Sequence, residues 1–303
     1  MRVEVQHLDK HFGKTHAVRD LSFTIEPGRV TGFLGPNGSG KSTTMRLMLD
    51  LDRGKGKTLY GGKLLTQLNP VTKSVGAHLD AKFFHPKRTA FAHLNMLGAE
   101  AGVSRQRINE VLELVGLTSV AKKRPGGFSL GMGQRLGLAG AILAEPTVLF
   151  LDEPANGLDP QSIQWLRDFL KNYAGKGNSV FVSSHLLSEM QLLADDVVVI
   201  AAGQLIAAEP MQKFLTRAQG TNVVVRSNEA AKLRDFIGSE GIDSSFEGVN
   251  TLLVPGITTD RIGEIAFKNG IQLSELSMRS ASLEQVFLEL TDQGQEFRVG
   301  GNS

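Results

Sequence analysis

A loop at residues 35–43 has the residue types and the spacing needed to bind the phosphate groups of a nucleotide. It fills every fixed position of the pattern G-x-x-x-x-G-K-[ST]. Glycines let backbone N–H groups point inward around phosphate oxygens, Lys41 can place its charge on the β- and γ-phosphates, and the Ser42 hydroxyl can ligate Mg²⁺. The loop predicts a site for ATP or a similar triphosphate; the alternative is a glycine-rich turn without a ligand. Its residues are Gly35, Pro36, Asn37, Gly38, Ser39, Gly40, Lys41, Ser42 and Thr43.

The segments on either side of this loop support the phosphate-binding interpretation. Val30–Leu34 is an apolar run that predicts a short buried strand, and apolar residues at helical spacing over 43–51 predict a helix. A strand, a loop and a helix in that order are what the phosphate-binding mechanism requires.

Two adjacent carboxylates follow a second apolar run. Residues 147–151 predict a buried strand, and Asp152 and Glu153 come directly after it. Because α/β sheets bind ligands at the carboxyl ends of their strands, we expect this pair beside the phosphate loop. Asp152 would hold Mg²⁺ through water, and Glu153 would orient the water that attacks the γ-phosphate. A solvated acidic turn is the alternative.

Composition narrows the class of protein and its partners. The 303 residues are long enough for one large or two ordinary domains, and the net charge of +2 is mixed along the chain, so nucleic acid is not an expected partner. The chain has no cysteine, which excludes disulfides and thiolate metal sites. It shows neither a signal peptide nor a membrane-spanning stretch, so we expect the cytoplasm.

Further along, the chain resembles the ATPases of ABC transporters. Residues 128–135, Phe-Ser-Leu-Gly-Met-Gly-Gln-Arg, are similar to the family's signature motif, residues 155–159 to its D-loop, and His185 to its switch histidine. The resemblance implies an α/β P-loop NTPase core with a mixed, largely parallel sheet over residues 1–217. A helical subdomain is expected at about 82–140.

The resemblance also implies a composite site. Ser129 and Gly131 would begin a helix that clamps the phosphates of a nucleotide bound to a second ATPase subunit, in a head-to-tail dimer, with a homodimer expected. Taken alone, Ser129 would be an ordinary helix cap. His185 would sense the γ-phosphate, whereas an isolated histidine at a strand end is usually structural. Asp159 would either brace the dimer near the nucleotide or simply start a helix.

Two positions depart from the residues that are usual in the family, and a third lies close to one of them in the expected base pocket. Asp80 stands where the family has the glutamine or glutamate of its Q-loop, and we expect this shorter carboxylate to reach Mg²⁺ through water. Phe12 stands where the family places an aromatic ring against adenine; core packing is the alternative. Val18 could line the same base pocket.

Residues 218–303 predict a separate, small α+β domain. Strands are expected at 223–225 and 251–254 and helices at 229–238, 260–268 and 282–290, followed by a frayed tail from 293. This portion is similar to the extension found on the ABC-2, drug-exporter-like branch. The predicted domain border lies near residue 218.

Together these observations predict the ATP-hydrolysing subunit of an ABC transporter, an exporter, located at the cytoplasmic face of the cell membrane. It would power a separate integral-membrane permease. The alternative is a soluble ABC-type ATPase that acts on a ribosome or a nucleic-acid complex, although such proteins usually carry two ATPase halves or a long coiled-coil insertion.

Overall fold

The chain folds into two compact units, residues 1–211 and 212–303. The structure, a computed structural model, describes residues 1–80, 84–85, 87–184, 187–216 and 222–279. The predicted border near residue 218 and the predicted helix at 282–290 lie outside the described residues. Of the helices that these ranges contain, none is both long enough and apolar enough to cross a membrane.

The first unit contains two sheets and the helices packed on them. An antiparallel sheet has the order β2-β1-β4-β5, and a six-stranded mixed sheet has the order β10-β9-β3-β8-β7-β6. The strands are β1 (Val3–Phe12), β2 (Thr15–Ile25), β3 (Val30–Leu34), β4 (Lys55–Tyr60), β5 (Lys63–Leu64), β6 (Val75–His78), β7 (Val148–Leu151), β8 (Ser179–Ser183), β9 (Asp196–Ala201) and β10 (Gln204–Pro210). The helices are α1 (Lys41–Met48), α2 (Val71–Ser74), α3 (Ala90–Gly98), α4 (Arg105–Leu114), α5 (Leu130–Ile142), α6 (Pro160–Gly175) and α7 (Leu187–Leu193), with α8 (Met211–Thr216) beginning at the last residue of the unit.

Parallel pairing in the larger sheet brings four strand ends to one edge. β3 pairs with β8 so that Phe33 lies opposite Ser183, and β8 pairs with β7 so that Val182 lies opposite Leu151. β7 in turn pairs with β6, which places His78 opposite Leu151. Four features therefore leave the sheet at the same edge: the phosphate loop, Ser183, the carboxylate pair and the segment after His78. The loop and the carboxylates were predicted to lie side by side in this way.

The main core lies between the two sheets and includes the inner face of α1. β3, β7 and β8 are buried along their whole length, as is typical of central parallel strands covered on both faces. Their aromatic rings pack against the antiparallel sheet, with Phe33 and Phe181 stacked at 4.9 Å and Phe23 at 5.7 Å from Phe181. This packing fixes the strand from which the phosphate loop emerges.

Among the described residues between β6 and β7 are the α-helices α3, α4 and α5, and a hydroxyl side chain caps the start of each. Thr89, Ser104 and Ser129 accept hydrogen bonds from the backbone N–H groups of Ala92, Arg107 and Met132. The predicted α/β class, with parallel strands and inserted helices, is confirmed. The antiparallel sheet was not predicted.

The second unit has the β-α-β-β-α-β order of a ferredoxin-like, split β-α-β motif. Its four strands pair antiparallel in the order β12-β13-β11-β14, and α9 and α10 enclose a core with one face of the sheet. The sequence predicted β11, β13, α9 and α10 but neither β12 nor β14. The elements are β11 (Asn222–Arg226), α9 (Ala230–Ser239), β12 (Ser245–Phe246), β13 (Thr251–Pro255), α10 (Thr259–Lys268) and β14 (Glu275–Arg279).

A buried tyrosine anchors the carboxyl end of α1, and its removal should measurably lower the stability of the first unit. Tyr60 is 1% exposed, and its hydroxyl donates to the Met48 carbonyl at 2.7 Å. Tyr60→Phe keeps the ring but leaves that carbonyl without its donor, so we expect the free energy of unfolding to fall by about 1–3 kcal/mol. Urea unfolding followed by the fluorescence of Trp165, the single tryptophan, reports on this unit.

Tyr173→Phe is the matched control. The Tyr173 hydroxyl donates to the Pro146 carbonyl from a side chain that water can partly reach, so we expect a smaller loss of stability. An equal or larger loss for Tyr173→Phe would contradict the assignment of Tyr60 as the anchor.

Candidate functional site

The phosphate loop has a backbone that favours glycine at Gly40, a fixed position of the pattern, and also at Gly38, a variable one. Gly38 and Gly40 have φ angles of 78° and 104°, in the left-handed region that other residues rarely adopt. A Cβ on Gly40 would lie 2.5 Å from the Ala17 carbonyl oxygen, so the loop presses directly against β2. Ser39 is buried, whereas Asn37 and Gly38 are exposed at the loop tip.

Helix α1 offers its first N–H groups to an anion. It begins at Lys41 after Gly40, and no side chain of the described residues caps its first turn. Uncapped N–H groups together with the helix dipole make a helix start of this kind a binding site for phosphate. Ser42 is exposed and Thr43 half-buried on this first turn, as a ligand-facing position requires.

Lys41 lies inside the loop rather than in solvent. Its side chain is 7% exposed, and Nζ donates to the carbonyl oxygens of Gly35 at 2.7 Å and Pro36 at 3.3 Å. Burial lowers the pKa of this ammonium group, and the charges of Glu153 and Asp152 act in the opposite direction. Phosphate oxygens would replace the two carbonyls as partners of Nζ.

Ser183 holds the carboxylate pair in place. Its hydroxyl donates to Asp152 Oδ1 and accepts the backbone N–H of Glu153 at 2.9 Å, and the side chain is fully buried at the end of β8. Glu153 has a φ angle of 49°, which is uncommon for a residue with a side chain. One hydroxyl therefore holds the Asp152 carboxylate and the Glu153 backbone where the chain turns away from β7.

A second buried polar chain reaches Glu153 from α5. Gln134 donates from Nε2 to the Glu153 carbonyl at 3.3 Å, and its Oε1 accepts from His78 Nε2 at 2.6 Å. Burial lowers the pKa of His78, which keeps the imidazole neutral. The ring packs against Gly137, where a Cβ would overlap it. His78 and Gln134 thus connect β6 and α5 to the carboxylate edge.

The three residues predicted as metal ligands line one cavity. Ser42, Asp80 and Asp152 surround a space of about 630 Å³ that extends toward α3 and α5. Hydroxyl and carboxylate oxygens are the hard donors that Mg²⁺ prefers, so this donor set fits the ion.

Comparison with known proteins identifies the family. The sequence pattern described as "ABC transporter" matches residues 18–156. The chain is 36% identical over 304 residues to the uncharacterized ABC transporter ATP-binding protein YhcH of Bacillus subtilis (strain 168), covering 97% of each chain. It belongs to the ATP-binding proteins of ABC transporters.

Further similarities extend this assignment to the C-terminal unit and to the fold. The bacitracin transport ATP-binding protein BcrA of Enterococcus faecalis is 31% identical, over 96% of this chain and 97% of its own length, which confirms the predicted drug-exporter-like branch. Residues 221–284 match a family described as a domain of unknown function (DUF8746). A structure titled "Structure of ATP binding subunit of ABC transporter" has the same fold, with a TM-score of 0.66 at 24% identity over 72% of this chain and 93% of its own.

In this ABC ATPase the signature motif and the D-loop form one continuous surface. Ser129 is exposed and caps α5, and Leu130 packs against Gly157, so that a Cβ on Gly157 would collide with it. Asp159 caps α6 by accepting the Ser162 N–H at 2.7 Å, and this bond holds the pKa of the Asp159 carboxyl below its usual range. Arg135 donates to the Ser162 hydroxyl and completes the connection. Gly131 lies within this surface.

The remaining predicted residues have different outcomes. Phe12 is 52% exposed at the end of β1, which argues against the core-packing alternative, and Lys10 Nζ lies over its ring, 4.8 Å from the centroid. Val18 is fully buried in the main core beneath the loop, so the structure gives it no surface from which to contact a base. His185 lies outside the described residues.

Ser183, Gln134 and His78 were not predicted as parts of the site. A buried serine that ends an otherwise apolar strand was a usable signal for Ser183. Nothing local pointed to the pair His78 and Gln134, because 56 positions separate them in the chain.

Removal of the Ser183 hydroxyl should slow ATP hydrolysis and spare nucleotide binding. Ser183→Ala frees the Asp152 carboxylate and the Glu153 N–H, so we expect kcat to fall about 10- to 100-fold, the effect of losing a charged hydrogen bond. Ser179→Ala is the control, because this equally buried serine of β8 donates only to the Met1 carbonyl. ATPase rates and ATP affinity of both variants provide the measurement; equal effects of the two substitutions would remove the positioning role of Ser183.

Proposed function

We propose that this ABC ATPase hydrolyses ATP to ADP and phosphate and drives export through a separate integral-membrane permease. It acts at the cytoplasmic face of the cell membrane as a head-to-tail dimer, a homodimer in the simplest case. Family membership and similarity to a protein named for bacitracin transport over nearly the whole chain support transport as the task. Nucleic acid has no part in this proposal, since the charge of the chain is nearly balanced.

The observation that carries the hydrolytic role is the fixed carboxylate pair beside the phosphate loop. Ser183 holds Asp152 and the Glu153 backbone, and Gln134 holds the Glu153 carbonyl from the other side. The Asp152 side chain is held directly, whereas Glu153 is held through its backbone. One carboxylate can therefore bind the metal while the other orients the nucleophilic water. A site that only bound nucleotide would need no such pair.

Binding starts with an exchange of partners at Lys41. Its Nζ leaves the carbonyls of Gly35 and Pro36 for oxygens of the β- and γ-phosphates, and the N–H groups at the start of α1 bind the same phosphates. Ser42 and Asp152 would hold Mg²⁺, with Asp80 contacting it through water. The bound ion would neutralise charge on the phosphate oxygens during the reaction.

Glu153 is the proposed catalytic residue. Its carboxylate would orient a water molecule and accept a proton from it as the water oxygen bonds to the γ-phosphorus. The bond between that phosphorus and the oxygen bridging to the β-phosphate breaks, and ADP leaves with the electron pair. We assign the γ-phosphate sensor role to His185 from the family resemblance alone.

The second half of the site would come from another subunit. The sequence contains one phosphate loop, and the surface formed by Ser129, Leu130 and the D-loop is exposed at the start of α5. An exposed helix start with Ser129 and Gly131 suits the γ-phosphate of a nucleotide bound elsewhere. In this arrangement Asp159 stays at its α6 cap, near the interface, and Phe12 stacks on the adenine of its own subunit.

Glu153→Gln should separate binding from turnover. The amide keeps the size of the side chain but accepts no proton, so we expect kcat to fall at least about 100-fold while ATP still binds and closed dimers accumulate. Size-exclusion chromatography with ATP and a phosphate-release assay measure the two effects. Lys41→Ala should instead lose ATP binding, and Glu113→Gln on the exposed face of α4 should change neither quantity.

Hydrolysis by Glu153→Gln at a nearly normal rate would exclude Glu153 as the base. Failure of this variant to bind ATP would point to a structural defect, and circular dichroism distinguishes that outcome.

The transport role predicts a specific membrane partner. When the tagged chain is purified from its own cells in mild detergent, we expect an integral-membrane protein of the ABC-2 permease type to co-purify in a stable ratio. The relevant comparison is a tagged chain lacking ATP binding, Lys41→Ala, which should retain the permease. Recovery with ribosomes and without a membrane protein would overturn the exporter proposal.

A further inference from the structure

Three potential metal ligands meet near the end of the β1–β2 hairpin, apart from the phosphate site. Asp9 and His11 are two residues apart on β1, and His16 lies directly opposite His11 on β2. Their ligand atoms, one carboxylate oxygen and two imidazole nitrogens, all lie within 4.8 Å of one another. His11 and His16 are a directly opposed pair, so their side chains share a face of the sheet, and the register between β1 and β2 shifts on both sides of Lys10, in the stretch that contains Asp9.

The contacts within this cluster already orient two of the three groups. His16 Nε2 lies 2.7 Å from Asp9 Oδ2, and His11 Nε2 lies 3.8 Å from Asp9 Oδ1. The two imidazole rings stack with their centroids 3.8 Å apart. The hydrogen bond with His16 lowers the pKa of the Asp9 carboxyl, so the group is ionised, as a metal ligand must be.

The alternate side chains of the same strand do not belong to the cluster. Lys10 Nζ lies 4.8 Å from the centroid of the Phe12 ring, and its charge is engaged there and at the Arg53 carbonyl. The side chains of His11 and His16 are 54% and 29% exposed, so turning their nitrogens toward a common point meets little steric resistance.

We propose that Asp9, His11 and His16 bind a divalent transition-metal ion of the zinc type. Two neutral imidazoles and one carboxylate match the ligand preferences of Zn²⁺ and leave a fourth, tetrahedral position for water. Mg²⁺ and Ca²⁺ prefer oxygen ligands alone, so the imidazoles select against the ions of the nucleotide site. The bound ion would cross-link β1 to β2 just before their turn.

Titration calorimetry of the full, chelator-treated chain with Zn²⁺, without nucleotide and with excess Mg²⁺, tests this proposal. We expect saturation at one ion per chain, and His11→Ala, His16→Ala and Asp9→Asn should each weaken binding at least about tenfold. Co²⁺ in place of Zn²⁺ should give the visible absorption of a tetrahedral site, which is lost in the same variants. Circular dichroism verifies that the variants stay folded.

His7→Ala is the matched control. His7 lies on the same strand, and its Nδ1 is 2.8 Å from Asp20 Oδ1. Both side chains are exposed, and among the described residues neither belongs to a group of three potential metal ligands. This variant should bind Zn²⁺ like the unaltered chain. If the chain binds no Zn²⁺, or if His16→Ala binds as tightly as His7→Ala, the proposal is wrong and the three side chains only stabilise the hairpin.

Discussion

The register of the parallel strands is the constraint on which the rest of the site depends. Because Phe33, Ser183 and the end of β7 lie at the same level of one sheet, the phosphate loop and the carboxylate pair leave it side by side. A shift of two residues in either pairing would keep every side chain on its face and still move the carboxylates by about 7 Å. The packed aromatic rings between the sheets, above all Phe33 on Phe181, make such a shift costly, since each ring fits only one position. Core packing and site geometry are thus determined by the same residues.

Buried polar groups extend this constraint outward from the sheet. Ser183 connects the Asp152 carboxylate to the Glu153 backbone N–H, and His78 and Gln134 connect the last residue of β6 to α5. Each of these groups is nearly enclosed, so an unmade hydrogen bond would leave a desolvated donor or acceptor. The helical insertion is therefore attached to the catalytic edge by hydrogen bonds as well as by apolar contacts. Movement of α5 would therefore shift the backbone of Glu153.

What the sequence predicted, and what it did not, follows from the distance along the chain over which each feature is encoded. The phosphate loop occupies nine consecutive residues, and the two carboxylates directly follow β7. Local sequence patterns were therefore enough to predict both. The bridge made by Ser183 joins residues 31 positions apart, and no pattern of spacing specifies it. The second unit shows the same difference between local and distant features. The helices α9 and α10 have clear periodicity, whereas β12 has only two residues, both exposed, and β14 has only two apolar side chains among its five residues, so both escaped prediction. Val18 was expected to line the base pocket but is fully buried in the main core, and burial depends on contacts that are distant along the chain.

The position of Lys41 has a consequence for which anions the loop can accept. Its ammonium group is already solvated by two carbonyl oxygens of its own loop, so an incoming anion must offer it better partners than these. A small anion that reaches the lysine alone would gain little, because it would displace two existing hydrogen bonds for the sake of one or two new ones. A triphosphate also contacts the start of α1 and the metal ligands, and these additional contacts favour its binding. The loop should therefore favour a triphosphate, which makes several contacts at once, over inorganic phosphate or sulfate.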